Sequence, residues 1–191
     1  DRTVIGNTTP KFSGGFGLNA TFKGFDVSAF FNFMYDFDVF NANKVMMTTW
    51  ASNNYNNFSM DISAAKRWRN FDDMGNEIRY SPEILAEFNK NATMWNPTSI
   101  GRPIAMSYAV EDGSFLRLNT ATIGYTLPRA WTNKVGLSRV RFYASGYNLF
   151  TITGYSGYDP EVDIATGLTP NIDNNRYPRS RTYTFGVQLT F

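Results

Sequence analysis

The chain has 191 residues, 17% of them aromatic and only 18% charged, with a formal net charge of +2. It contains no cysteine and no histidine, which excludes disulfides and thiolate metal sites and removes the commonest general base and metal ligand. The small net charge argues against a nucleic-acid surface. We therefore expect no enzyme activity, no cofactor and no nucleic-acid partner.

Two long strands are predicted near the start of the chain, over residues 11–22 and 25–37. Apolar and polar residues alternate through both ranges, and the Lys23-Gly24 pair between them favours a tight turn. In the second strand the odd positions are all apolar, whereas most even positions, such as Asp26, are polar. The apolar faces are wide enough to need lipid or a partner sheet.

The next stretch, 38–112, lacks this alternation and is predicted to be a long loop with two short helices. One helix is expected over 59–69, with Ser59 as its N-cap, and the other over about 81–90, where a Ser-Pro pair marks the start. Loops of this length in compact domains are usually functional. The acidic run 72–77 lacks the ligand spacing of an EF-hand loop, which favours a solvated turn over a calcium site.

Three further strands are predicted over 113–127, 138–150 and 181–191. From Tyr183 to its end at Phe191, the last strand has apolar residues at every odd position and small or polar residues between them. Nine residues tilted by roughly 45° span the apolar band of a transmembrane barrel. The alternation therefore predicts membrane strands, although a mean hydropathy of −0.34 is typical of soluble proteins.

The alternation slips once within the third predicted strand. Ala121 and Ile123 share one face, but Leu116 and Leu118 fall on the other if the strand is regular. Two explanations remain open at this point: a β-bulge near Asn119, or packing of the upper part of the strand against the long loop.

Short and long connections alternate along the chain. The Lys23-Gly24 turn and the connector 128–137, in which Trp131 occupies the position of an interfacial aromatic, are short, whereas 38–112 and 151–180 are long. Outer-membrane barrels have short periplasmic turns and long extracellular loops. We predict an all-β fold: a segment of an antiparallel transmembrane β-barrel, with two long extracellular loops that contain short helices.

Several segments also stand out as an ordered set. They are Ile5-Gly6-Asn7 with Pro10-Lys11-Phe12, residues 111–128 (EDGSFLRLNTATIGYTLP), 147–151 (YNLFT), 155–162 (YSGYDPEV), and Tyr177-Pro178 followed by 184–187 (TFGV) and Phe191. This set resembles the SusC/RagA family of TonB-dependent outer-membrane transporters. It covers most of the chain apart from the middle of the first long loop.

The resemblance implies that the chain is the last five strands of a plugged barrel, for which 22 strands is the usual size. The plug and the TonB-contacting segment would lie upstream, and the open sheet edges would pair with sequence outside this chain. It further implies import of oligosaccharides or peptides across the outer membrane of a Bacteroidota-type Gram-negative cell. A SusD-like surface lipoprotein would act as a lid, and the TonB complex would supply energy.

Candidate functional residues follow from these expectations. Loop aromatics are candidates for stacking on substrate or packing against the lid: Trp50, Tyr55, Trp68, Trp95, Tyr155 and Tyr158. Phe191 is the candidate signal for the barrel-assembly machinery, and it is also one more aromatic that would face lipid. Asp159 and Glu161 are interpreted as fixing the shape of the second loop rather than, with Asp163, binding a metal. Arg139 and Arg141 would face the lumen and pair with plug carboxylates.

Three other classes of protein compete with a transporter. A structural or adhesive outer-membrane module would present the loops without energised transport. An outer-membrane hydrolase would need a convergent acid–base set, which the sequence lacks. A soluble carbohydrate-binding sandwich would need protein on both faces of its strands.

Overall fold

The computed structural model describes residues 3–50, 57–98, 104–162 and 171–191. They belong to two compact units, which we call the sheet unit (Asp1–Val39, Glu111–Ile172 and Arg176–Phe191) and the loop unit (Phe40–Val110 and Asp173–Asn175). No helix in the described part of the chain is both long and apolar enough to cross a membrane.

The described residues form eight strands in two sheets, and the larger sheet is antiparallel throughout. The strands are β1 (Phe12–Phe22), β2 (Phe25–Tyr35), β3 (Asp38–Asn41), β4 (Val110–Asp112), β5 (Phe115–Thr126), β6 (Arg139–Thr153), β7 (Ile172–Asp173) and β8 (Thr182–Thr190). The long strands form one sheet in the order β1-β2-β5-β6-β8, and the short ones form another in the order β4-β3-β7. The predicted all-β, antiparallel class is confirmed.

The strands β2 and β6 end at positions that differ from the predicted ranges. β2 ends two residues before the end of the range 25–37, because Asp36 has a φ of +60°. β6 continues to Thr153, three residues beyond the range 138–150.

The helices are α1 (Ala42–Thr48), α2 (Pro82–Asn89) and α3 (Arg129–Thr132), with 3-10 turns at Met60–Ile62, Ser107–Ala109 and Asn133–Val135. Helix α1 was not predicted from the sequence, although Asn41 is its N-cap and accepts a hydrogen bond from the Lys44 backbone N–H at 3.2 Å. The helix predicted over 81–90 is present as α2. In the second long loop, the described residues contain the strand β7 and no helix.

The helix predicted over 59–69 is wrong. Ser59 does cap a turn, since its hydroxyl accepts from the Asp61 backbone N–H, but only the three residues of the 3-10 turn are helical. Farther along, Lys66 accepts hydrogen bonds from the Thr93 and Met94 N–H groups, and Trp68 donates to the Met94 carbonyl at 2.8 Å. Pairing with a distant segment therefore replaces the bonds that a helix would need.

One face of the five-stranded sheet is apolar and exposed. Cross-strand partners on this face form rows, one of which joins Phe22, Phe25, Tyr125, Phe142 and Val187. All but one of these side chains are at least 45% exposed. An apolar surface that extends across five strands needs contact with lipid or another apolar partner.

The slip in the third predicted strand is a β-bulge at Asn119, which decides between the two explanations. Phe30 and Phe31 of β2 pair with Thr120 and Leu118, so Asn119 has no partner in β2. The pleat skips one residue, and Leu118 consequently lies on the apolar face with Phe31.

The opposite face is polar and contains an ion pair across three strands. The Arg141 guanidinium of β6 reaches over β5 to Asp26 of β2, with Nε to Oδ1 at 2.9 Å. Gly124 lies beneath, and a Cβ there would come within 2.6 Å of Asp26 Oδ1. Arg141 thus has a carboxylate partner within its own sheet that was not expected from the sequence, and pairing with a plug carboxylate stays a prediction. The Arg139 guanidinium instead lies 3.4 Å from the Thr126 hydroxyl.

Candidate ligand cleft in the loop unit

The segment 93–98 forms the frame of a cleft in the loop unit. Its Met94 carbonyl accepts a hydrogen bond from the Trp68 backbone N–H at 2.8 Å, and its Pro97 carbonyl accepts one from the Trp50 N–H at 2.9 Å. One segment therefore holds two tryptophans that are 18 residues apart in sequence. Neither bond is visible from sequence periodicity, because both join distant parts of the loop.

The cleft has a volume of about 300 Å³, and four aromatic side chains contribute to its lining. Its lining residues are Trp50, Phe58, Arg67, Trp68, Arg69, Asn70, Phe71, Asp72, Asn96, Pro97 and Thr98. Trp50 and Trp68 are 49% and 41% exposed, and the ring of Phe58 lies against Trp50 at a centroid distance of 5.7 Å. Exposed indole faces of this kind can stack on a flat or ring-shaped ligand.

Among the polar groups of the lining, the Asp72 carboxylate is already hydrogen-bonded within its own turn. The Asp72 carboxylate accepts from the Met74 and Asn76 backbone N–H groups at 2.9 and 2.8 Å and from the Asn76 amide at 2.9 Å. The Asn76 amide contributes most to holding the pKa of Asp72 below its usual value, so Asp72 is a carboxylate at neutral pH. These contacts form the turn that the run 72–77 predicts.

A buried asparagine fixes one wall of the cleft. Asn89, at the end of α2, accepts from the Arg69 backbone N–H at 2.6 Å and donates to the Arg69 and Leu85 carbonyls, both at 2.9 Å. The Asn89 side chain thereby supplies the hydrogen bonds that a neighbouring strand would make to the Arg69 backbone. Its own amide nitrogen and oxygen are hydrogen-bonded as well. The Arg69 guanidinium pairs with Asp73 at 2.7 Å and lies over the Phe88 ring.

The structure brings together only two of the six predicted loop aromatics, Trp50 and Trp68. Trp95 is partly buried in the loop unit, where its indole N–H donates to the Thr48 carbonyl at 3.1 Å and its ring packs edge-on against Tyr108. Tyr155 is 6% exposed, so its ring is not open to a ligand. Tyr158 is 83% exposed and outside the cleft, and Tyr55 lies outside the described residues.

Tyr155 belongs to the apolar core of the sheet unit with Phe37, Val39, Phe115 and Val162. The sequence analysis grouped it with the exposed loop aromatics because a loop tyrosine and a core tyrosine look alike in sequence. Its position two residues beyond the end of a strand that continues to Thr153 is the one local signal of burial.

Beside this core, a buried arginine holds the start of the second long loop. Arg117 of β5 is 2% exposed, and its guanidinium donates to Asp159 at 2.5 Å and lies 3.6 Å from Glu161. Glu161 also pairs with the half-exposed Arg179 at 2.6 Å. The sequence analysis identified the two carboxylates as fixing the loop but missed Arg117, which alternation alone marks as one more inward polar residue.

Opposing effects act on the pKa of Asp159. Burial alone would raise it, but the hydrogen bond from Arg117, together with the backbone N–H of Glu161, brings the pKa below its usual value. Asp159 is therefore ionised at neutral pH and committed to the guanidinium. With Glu161 also paired, both carboxylates serve the loop contact, and Asp163 lies outside the described residues.

Comparison with known proteins places these features in a family. No protein-family model matches the chain. The chain is 32% identical over 197 residues to the TonB-dependent receptor P3 of Formosa agariphila and 32% identical over 164 residues to the TonB-dependent receptor SusC of Bacteroides thetaiotaomicron. These alignments cover 100% and 78% of the chain, which spans only 17% and 15% of the two receptors.

Among solved structures, the chain matches one chain of the RagAB peptide transporter with a TM-score of 0.72 at 25% identity. The match covers 98% of this chain and 18% of that one. Sequence relatives and a solved structure therefore agree over nearly the whole length. The chain belongs to the SusC/RagA family of TonB-dependent outer-membrane transporters, and its five-stranded sheet is part of the barrel.

Proposed function

We propose that this chain works as part of a complete transporter that imports oligosaccharides or peptides across the outer membrane. The observation that carries the proposal is the match to the RagAB peptide transporter over 98% of the chain. The exposed apolar face of the sheet supports a position in lipid, and the opposite polar face supports a hydrated or plug-filled interior. The first long loop then lies on the extracellular side, where substrate arrives.

The aromatic cleft is the part of this chain that we assign to substrate. Trp50 and Trp68 present exposed ring faces in a cavity of about 300 Å³, which is the lower end of the size range for small-molecule sites. Polar side chains border the rings and supply hydrogen bonds. Trp95 and Tyr155 are packed internally and act by supporting their units, while Tyr158 is free to contact a SusD-like lid.

The assembly and energy partners follow from the family. Phe191, 90% exposed and next to the end of β8, serves as the signal for the barrel-assembly machinery. The TonB complex acts through a segment outside this chain. A structural or adhesive module remains the second candidate, because loops that bind a ligand can do so without transport.

Energised uptake separates the two candidates. The complete protein and its neighbouring lipoprotein would be produced in their own host, with and without TonB, and uptake of labelled oligosaccharides and peptides would be measured. Uptake that requires TonB and falls at least severalfold in a Trp50→Ala/Trp68→Ala variant, at equal surface abundance, supports the proposal. Binding that persists without TonB and without accumulation inside the cell would identify an adhesive module instead.

A further inference from the structure

The inference concerns which ligands the aromatic cleft selects, and it rests on the proposed function. Three charged side chains line the cleft: Arg67, Arg69 and Asp72. Arg69 is paired with Asp73 at 2.7 Å, and Asp72 is held by the hydrogen bonds of its own turn. Arg67 is exposed and has no carboxylate partner within 4 Å among the described residues.

The position of Arg67 follows from the frame of the cleft. It precedes Trp68 in the short segment that pairs with 93–94, and Arg67 and Met94 form an isolated parallel bridge. The backbone of Arg67 is thus fixed while its guanidinium is not engaged by a charge. Its neighbour Lys66 lies 3.9 Å from Asp61 and does not line the cleft.

Several backbone N–H groups of the walls are already hydrogen-bonded within the loop unit, which argues against a peptide bound there as an added strand. The N–H groups of Trp50, Trp68 and Asp72 donate to Pro97, Met94 and Asn76 carbonyls. A strand-like peptide would need free N–H and C=O groups along an edge. A saccharide needs ring faces and side-chain hydrogen bonds instead, and the two indoles with the amides of Asn70 and Asn96 provide these.

We propose that the cleft binds acidic oligosaccharides, in which a sugar ring stacks on Trp50 or Trp68 and the carboxylate of a uronic acid pairs with Arg67. The forked guanidinium matches the two oxygens of a carboxylate and can donate two parallel hydrogen bonds to them. The rings supply affinity for saccharides in general, and Arg67 supplies the preference for an acidic one.

The test compares each acidic sugar with its own uncharged form. Purified complete transporter with its lipoprotein, in detergent, is titrated calorimetrically with trimers of galacturonate, mannuronate and a glucuronate-containing repeat, and with their methyl esters. The esters keep the rings and remove the charge. We expect at least one acid to bind about five- to tenfold more tightly than its ester at low salt, because the ester loses the charge-assisted hydrogen bond to Arg67, whose strength at an exposed site is reduced by solvent screening.

Three variants identify the residues responsible. Arg67→Gln should abolish the preference for the acid while leaving the affinity for the ester within twofold. Trp68→Ala should weaken acid and ester alike. Lys66→Gln, the matched control, removes the same charge one residue away and should leave the preference intact.

The outcomes separate this inference from the proposed function. If every acid and ester bind equally, or if Lys66→Gln abolishes the preference as completely as Arg67→Gln, the inference is overturned, whatever the uptake assay gives. If TonB-dependent uptake fails while the acid preference requires Arg67, the cleft assignment holds and the transport proposal fails.

Discussion

The positions of side chains are determined in different ways in the sheet unit and in the loop unit. In the sheet unit, each side chain's environment follows from its position in an alternating strand, and polar contacts such as Arg141 with Asp26 join residues that the strand register brings together. In the loop unit, single hydrogen bonds between distant segments, such as those from Trp50 and Trp68 to 93–98, decide where the rings lie.

This difference predicts where each unit is vulnerable. A five-stranded sheet distributes its backbone bonds over four long pairings, so the loss of one side chain rarely changes the register. The loop unit depends on a few side chains that replace missing backbone partners, Asn89 among them. The sheet unit has a comparable dependence at Arg117, which provides the strongest test.

We expect Arg117→Ala to have the largest effect. It would leave the carboxylates of Asp159 and Glu161 close together, largely buried and without their common cation, which typically costs about 3–5 kcal/mol. In the unsubstituted protein the Glu161 backbone N–H donates to Asp159. Hydrogen exchange of the complete transporter should therefore show faster exchange of this amide in the variant.

Arg179→Ala is the control for this change, because Arg179 pairs with the same Glu161 but is 48% exposed. Its effect should stay below about 1 kcal/mol. Equal effects of the two substitutions would mean that burial of Arg117 does not set the strength of the contact.

Asn89→Ala should have an intermediate effect, confined to the loop unit. The substitution removes three hydrogen bonds at a site that is 6% exposed and leaves the Arg69 N–H without its acceptor, for which about 2 kcal/mol is typical. Exchange of the Arg69 amide and proteolysis of the segment 66–72 should both accelerate. Asn91→Ala, at an exposed asparagine two residues away, should change neither, and β5 should be unaffected in both variants.

The smallest expected effect is a pH dependence centred on Asp61. The Tyr108 hydroxyl, at 3.0 Å, contributes most to lowering its pKa, and Ser59 adds to the effect. Because the folded pKa lies below the unfolded one, this stabilisation is fully present above the usual value of 3.8 and is lost as the pH falls further through the folded pKa. Protection factors around Met60–Ile62 should fall modestly between pH 5 and about pH 3.

Asp61→Asn is the matched variant for this dependence, since an amide keeps an acceptor for Tyr108 but does not titrate. Protection in the variant should be lower at pH 5 and nearly constant down to pH 3. An unchanged slope in the variant would assign the acid sensitivity to another carboxylate.

The strands and their faces could be predicted from the periodicity of the sequence. The structure of the loop unit could mostly not be predicted, because it depends on contacts between residues far apart in sequence. Alternation identified the membrane-facing strands and the polar face. Its slip near Asn119 left two explanations open, and only the strand pairing shows that the irregularity is a bulge. Ser59 was correctly identified as a cap, but the helix after it was not formed, because Lys66 and Trp68 pair with residues 93–94. Composition could nominate Trp50, Trp68 and Trp95 alike, and only three-dimensional packing separates the first two from the third.

The bulge at Asn119 has a further consequence for the rim of the sheet. β5 carries one residue more than β2 between the paired positions Phe30/Thr120 and Phe31/Leu118, and β6 carries one more than β5, where Asn148 has a φ of +51°. The surplus thus grows stepwise from β2 to β6, and at about 3.3 Å per residue it can lengthen β6 by up to about 7 Å. A stagger that accumulates between neighbouring strands is the shear that sets the tilt and diameter of a barrel. The surplus residues of β5 and β6 therefore help to determine the diameter of the barrel to which this sheet belongs.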